Sequence, residues 1–178
     1  MEFLSKFFNV IILVFGAFFV TTAINAANMD RIVQESTTVT VTKFTDTVRK
    51  QGKLTAEVYN AFVQKLDAED VLFNIDMTYA KQVYNPTGNE SSVLTEDCYY
   101  TQDLLDGLFS SGERGKVVDG KDDGVVYFSK DDTFTVHVTN RSETIGQKFK
   151  KFLPWYANSS STNIDACSGG LIRDEEGK

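Results

Sequence analysis

The chain has 178 residues, of which 42% are hydrophobic, a size and composition suited to one packed domain and incompatible with wholesale disorder. Lysine and arginine total 18 against 25 aspartates and glutamates, a formal charge of −7; an acidic surface of this kind repels phosphate backbones, so no nucleic-acid partner is expected. One histidine, His137, and two cysteines, Cys98 and Cys167, leave most of the catalytic vocabulary absent and exclude repeated zinc modules.

From Phe7 to Val20 the chain reads FFNVIILVFGAFFV, and TTAINAA carries the uncharged stretch on to Ala27. Those 21 residues reach about 31 Å as a helix, enough to cross the hydrocarbon core of a bilayer. A cleaved secretory signal is the rival reading, because an apolar core of this length follows a short segment carrying Lys6. Its cleavage grammar is poor. Cutting after Ala26 puts Ile24 at the third position back, cutting after Ala27 puts Asn25 there, and the better Thr21-Thr22-Ala23 leaves INAAN on the mature terminus. The expected organisation is an anchor or signal over 1–29 and an extracytoplasmic domain over 30–178, with Lys6 on the cytoplasmic side.

Asp30 to Gln51 reads two ways: TTVTVT alternates like a strand, whereas Val33, Val41, Phe44 and Val48 keep one helical face with Gly52 as a stop. With no turn signal between Ala27 and Thr37, a helix continuing from the apolar segment is favoured. Thr55 is the N-cap of a helix whose Tyr59, Phe62, Val63 and Leu66 repeat at i, i+3, i+4 and i+7. Val71, Phe73, Ile75, Met77 and Tyr79 alternate with polar or smaller neighbours as a half-buried strand, ended by Asn85-Pro86-Thr87-Gly88-Asn89.

A second helix is predicted from Thr95 as cap to Phe109, with Tyr99, Leu104, Leu105 and Leu108 as its apolar side. GVVYFS (124–129) and TFTVHVT (133–139), joined by Lys130-Asp131-Asp132, read as a hairpin. Ser142 is expected to cap a basic helix that ends at Pro154, and a last strand falls near 166–173. The sum is an α+β fold in which three to four helices pack a small antiparallel sheet, behind an N-terminal transmembrane helix.

In this order the chain resembles the small membrane-anchored, pilin-like proteins of tight-adherence pilus and conjugative-element clusters of Gram-positive bacteria. The resemblance rests on VTKFTDTVRKQGKLTAEVYNAFVQKLDA (41–68), the alternating strand ending in YNP (84–86), KDDTFTVHVTNRSETIGQKF (130–149) and SGGLIRDEEG (168–177). It implies a single-pass minor pilin or pseudopilin, a non-enzymatic assembly part whose partners are the membrane and other pilus or secretion-apparatus proteins. The chain departs from ordinary type IV prepilins: MEFLSKFFNV has neither their glycine cleavage site nor the glutamate at the fifth mature residue.

The remaining candidates for chemistry are few. Asp119, Asp122 and Asp123 with two glycines have the ingredients of a calcium loop but not EF-hand spacing, and read as a solvated turn. His137 alternates with apolar strand residues and reads as an exposed or hydrogen-bonded side chain; no phosphate loop, nucleophile elbow or HExxH helix occurs. No catalytic residue, cofactor or metal is therefore expected. Lys148, Lys150 and Lys151 with Trp155 and neighbouring aromatics form the one basic cluster, suited to a membrane interface or a partner protein. Val41 and Phe44 on the 30–51 helix are the other expected partner contacts. Cys98 and Cys167, both in the exported part, are expected to pair. The leading expectation is an anchored, non-enzymatic component of a pilus-like or conjugation-associated apparatus; the alternative is a secreted or surface-tethered ligand-binding domain.

Overall fold

The computed structural model describes residues 2–85, 93–109, 124–152 and 163–175, and the fold is α+β. Helix α1 (Glu2–Gln51) runs through the apolar segment and the ambiguous threonine-rich stretch without a break. The helical reading of that stretch prevails over the strand reading because Val41, Phe44 and Val48 lie on one face and are all buried, an outcome no local β-preference of threonine outweighs. Several threonine hydroxyls bond back inside the helix: Thr38 donates to the Gln34 carbonyl, Thr42 to Thr38 and Thr45 to Val41, each at 2.8 Å, whereas the buried Thr37 hydroxyl has no partner among the described residues. Gly52, at φ 63°, turns the chain out of α1.

A short strand β1 (Lys53–Thr55) leads into α2 (Ala56–Asp67). Thr55 caps α2 as its position in the sequence predicts, its hydroxyl accepting the Val58 amide at 3.2 Å. Then follow β2 (Phe73–Asn85), β3 (Val93–Tyr100), α3 (Thr101–Phe109), β4 (Val125–Tyr127), β5 (Thr133–Asn140), α4 (Ile145–Phe152) and β6 (Asp165–Leu171). One sheet is four-stranded and antiparallel throughout, in the order β3-β2-β5-β6; β1 and β4 form a separate antiparallel pair.

Three expectations are corrected. Residues 93–100 are not the start of a helix but a strand, paired with β2 from Thr78↔Tyr100 to Asn85↔Val93; α3 begins only at Thr101. Leucine spacing alone marks the later turns, and the ladder with β2, which stacks Tyr99 on Tyr79 at 5.7 Å, claims the residues before them. The 124–139 segment is not a hairpin: β4 pairs with β1, Leu54 opposite Val126, and β5 enters the large sheet. Asp132, in the connecting turn, is buried. The α4 cap is Thr144, not Ser142: its hydroxyl accepts the Gln147 amide and the Gln147 side chain accepts the Thr144 amide, both at 3.2 Å, a reciprocal capping box. The predicted loop residues 86–89 and the Pro154 stop lie outside the described residues.

The core lies on one face of the large sheet. Met77 and Tyr79 of β2 and Phe134, Val136 and Val138 of β5 meet Val41, Phe44 and Val48 of α1, Phe62 and Leu66 of α2, and Leu104 and Leu108 of α3 in one cluster. Phe44 stacks on Phe62 with ring centroids 4.1 Å apart and meets Phe134 edge-on at 6.3 Å, so a single α1 side chain joins helix α2 to the sheet.

Candidate functional site at the junction of α1 with the domain

Helix α1 has two halves with opposite surroundings. In its most apolar stretch no residue is buried; Leu13, Phe15 and Phe18 are 72%, 60% and 67% exposed. By length and composition the helix is long and apolar enough to cross a membrane. Past Ala26 the same helix enters the domain, and the first charged residue, Asp30, is 3% exposed.

Asp30 reaches the N-terminus of α4. Its Oδ1 accepts the Gly146 amide at 3.0 Å, and the partial positive charge of that helix end favours the carboxylate there. A Cβ on residue 146 would lie 1.9 Å from Asp30 Oδ2, so the contact requires glycine. Oδ2 itself accepts no hydrogen bond. Beside this contact a groove of about 260 Å³ runs between Met29, Ile32 and Val33 of α1 and Val71 and Ile145. Asp30, Glu69 and Asp70 line it too, giving it an acidic rim; Glu69 is fixed by the Ser36 hydroxyl at 2.5 Å.

Further along, α1 is fastened to β6 at both ends of that strand. The Gln34 side-chain amide donates to the Asp165 carbonyl at 2.8 Å and accepts the Asp165 amide at 3.0 Å, mimicking a strand neighbour. Arg49 Nε donates to the Leu171 carbonyl at 2.9 Å. The segment after β6 then closes the end of α1: the amides of Arg173 and Asp174 donate to the Arg49 carbonyl and that of Glu175 to the Lys50 carbonyl.

Two expected partner contacts are corrected by this arrangement. Val41 is 0% and Phe44 5% exposed, so both are core residues with no side-chain surface to offer a partner. Their helical periodicity marked a buried face, and that face is occupied by the sheet and α2. Lys148 is exposed on α4, and Lys151 is exposed and ion-paired with Glu143. The side chain of Lys150, and Trp155, Asp119, Asp122 and Asp123, lie outside the described residues.

The expected Cys98–Cys167 disulfide is also corrected. Both thiols are free and exposed, and they sit on the two outermost strands of the large sheet, β3 and β6. Three strand spacings, about 14 Å, separate those strands. The register adds a further offset, because Cys98 is level with Ala80, Thr133 and Leu171 while Cys167 is level with His137. A disulfide needs Cα atoms within about 7 Å.

His137 is hydrogen-bonded, as its place in the strand predicts: its Nε2 is 2.7 Å from Asp165 Oδ1 on the exposed face of the sheet. Among the described residues no three His, Cys, Asp or Glu side chains gather in a group able to hold a metal ion. A second buried carboxylate is held by Tyr79, whose hydroxyl donates to Asp132 Oδ2 at 2.5 Å while Asp132 Oδ1 accepts the Gln82 amide at 3.0 Å. Burial, and then the Asp132 hydrogen bond, raise the Tyr79 pKa well above the ordinary tyrosine value.

Sequence reasoning missed Asp30, Gly146 and Gln34. For Asp30 and Gln34 no local signal exists, since their partners lie 116 and 131 residues away; the Thr144-x-x-Gln147 capping box was the one legible mark of this junction. Comparison of the chain with known protein families, curated proteins and solved structures gave no match.

Proposed function

We propose that the protein is a membrane-anchored, non-enzymatic structural or assembly component of a pilus-like or conjugation-associated surface apparatus, single-pass, with its C-terminal domain extracytoplasmic. The observation that carries this reading is the continuity of α1. One 50-residue helix has an exposed apolar half, and its other half supplies Val41, Phe44 and Val48 to the domain core. A flexible tether would need no such arrangement. Here the apolar half is a rigid extension of the domain, so contacts made by one are transmitted to the other, as an assembly part requires. The resemblance of segments 41–68 and 130–149 to pilin-like proteins supplies the class of apparatus. The acidic groove beside Met29 and Asp30 supports a second reading, a surface-tethered ligand-binding domain.

Carbonate extraction of membranes, with intact-mass analysis of the retained protein, tests the anchor. The expected result is a membrane-retained chain with Met1–Ala27 attached; mature protein beginning after Ala23, Ala26 or Ala27 would overturn it. Photo-crosslinkers at Phe8 and Phe15, both exposed on α1, test assembly. Adducts to neighbouring envelope proteins or to further copies are expected, and adducts to lipid alone would remove the assembly reading while leaving the anchor.

A further inference from the structure

The large sheet has two outer strands, and α1 closes only one of them. On β6 the Gln34 side chain takes the outward amide and carbonyl of Asp165, and Arg49 takes the carbonyl of Leu171. Among the described residues nothing pairs in this way with the outer edge of β3. Which of its groups face outward follows from two bonds. The Gln82 amide is held by Asp132, on the β5 side of β2, so by alternation Ala80 also turns its amide toward β5. Cys98, opposite Ala80, therefore turns its own amide and carbonyl away from β2, and so does Glu96, two residues before it. The Tyr100 amide, of the same parity, is already held by Asp103 at 2.9 Å.

We propose that β3 is a self-association edge, on which a second copy of this chain pairs its own β3 antiparallel about a two-fold axis through Cys98. Unpaired edge groups are a template for another strand, and the carboxylates of Glu96 and Asp97 limit the registers in which a second copy can pair. Centred on Cys98, Asp97 faces the partner subunit's Tyr99 and Glu96 faces the partner subunit's Tyr100, so no like charges are opposed. Centred on Glu96 or Asp97, a carboxylate would face its own copy; centred on Tyr99 or Tyr100, the ladder would run at once into α3, which starts at Thr101. In the selected register the Cys98 amides and carbonyls exchange hydrogen bonds, and Glu96 lies opposite the partner subunit's Tyr100, the N-cap of α3. The ladder stops there because Asp103 occupies the Tyr100 amide. A directly opposed, hydrogen-bonded pair has Cα atoms about 5.5 Å apart, within disulfide reach. Both thiols then stand on the same exposed sheet face. This pairing does not depend on the membrane reading.

The test uses the full chain in detergent micelles, treated with diamide, which takes two electrons and two protons from two thiols as the disulfide forms. Non-reducing electrophoresis is expected to show a dimer for the wild type and for Cys167→Ser, and loss of that dimer for Cys98→Ser. Glu96→Pro replaces an outward amide that no described residue pairs with by a ring that blocks an approaching strand, and is expected to abolish the Cys98 dimer with the circular dichroism unchanged. Should that variant misfold, the register is read another way. In a background of Cys98→Ser and Cys167→Ser, protein carrying Glu96→Cys and protein carrying Tyr100→Cys are expected to crosslink when mixed and not separately. A dimer formed through Cys167, no dimer at all, undiminished dimer in folded Glu96→Pro protein, or equal crosslinking of the single-cysteine variants alone would each overturn the proposal.

Discussion

The amide of Gly146 donates to Asp30 Oδ1 at 3.0 Å, and a Cβ at 146 would stand 1.9 Å from Oδ2, so these two residues fix helix α4 to helix α1 by a contact that tolerates no added atom. A methyl group there has to push the carboxylate off the α4 N-terminus. Gly146→Ala is expected to destabilise the domain by about 1–3 kcal/mol. In an Asp30→Ala background the same substitution is expected to cost much less, because the obstructing carboxylate is gone. Chemical denaturation of the four proteins of this double-mutant cycle measures the difference, and additive costs would show that the contact is unimportant.

Core placement of α1 predicts severe effects where a surface role would predict mild ones. Phe44→Ala, which removes a ring stacked on Phe62, is expected to cost about 3–5 kcal/mol, and Lys148→Ala on exposed α4 less than about 0.5 kcal/mol. A fragment spanning 53–178 lacks Val41, Phe44 and Val48 and is expected to show no cooperative unfolding transition. A sharp transition in that fragment would contradict the assignment of α1 to the core.

Tyr79→Phe leaves the buried Asp132 carboxylate without one of its two donors among the described residues, at an expected cost of about 1–3 kcal/mol near neutral pH. The alkaline limb of the stability profile gives a separate readout. The folded-state pKa of Tyr79 is raised above its ordinary value of 10.0, so its stabilising contribution is fully present below about pH 10. Above that, the unfolded chain releases the proton while the folded chain keeps it, and stability falls. Denaturation midpoints between pH 9 and 11 are expected to decline less steeply for Tyr79→Phe than for the wild type.

Gln34→Ala uncovers the start of β6. Water replaces the lost hydrogen bonds at this half-exposed position, so the expected cost is small, about 1 kcal/mol. Hydrogen exchange is the sharper probe: the Asp165 amide, held by Gln34 Oε1 at 3.0 Å, is expected to lose protection in the variant while the Val136 and Val138 amides keep theirs.

Elements with their own periodicity were legible in the sequence. Thr55 with Tyr59, Phe62 and Leu66 announced α2, and the alternation ending at Tyr79 announced β2, because in both the burial pattern is written in adjacent residues. Where a segment's state is set by a distant partner, local reading fails. Residues 93–100 carry the polar Thr95, Glu96 and Asp97 and become a strand only because β2 runs beside them. The 124–139 pair looked like a hairpin because nothing in it reveals that Lys53–Thr55 is the partner of Val125–Tyr127. Val41 and Phe44 show the remaining limit: periodicity identified the face that is buried, but not whether another chain or this one buries it.

The fastening of α1 to β6 also sets a timetable. Gln34 and Asp165 are 131 residues apart, and Arg49 and Leu171 are 122 apart, so α1 closes on a strand made long after it. During synthesis Val41, Phe44 and Val48 have no complete sheet to cover them until the ribosome has released the chain beyond Ile172. The core is thus assembled from contacts of high sequence separation, which form late and slowly. A chain truncated before Asp165 is left with an apolar helix face and an uncovered β5 edge, the combination from which aggregation starts.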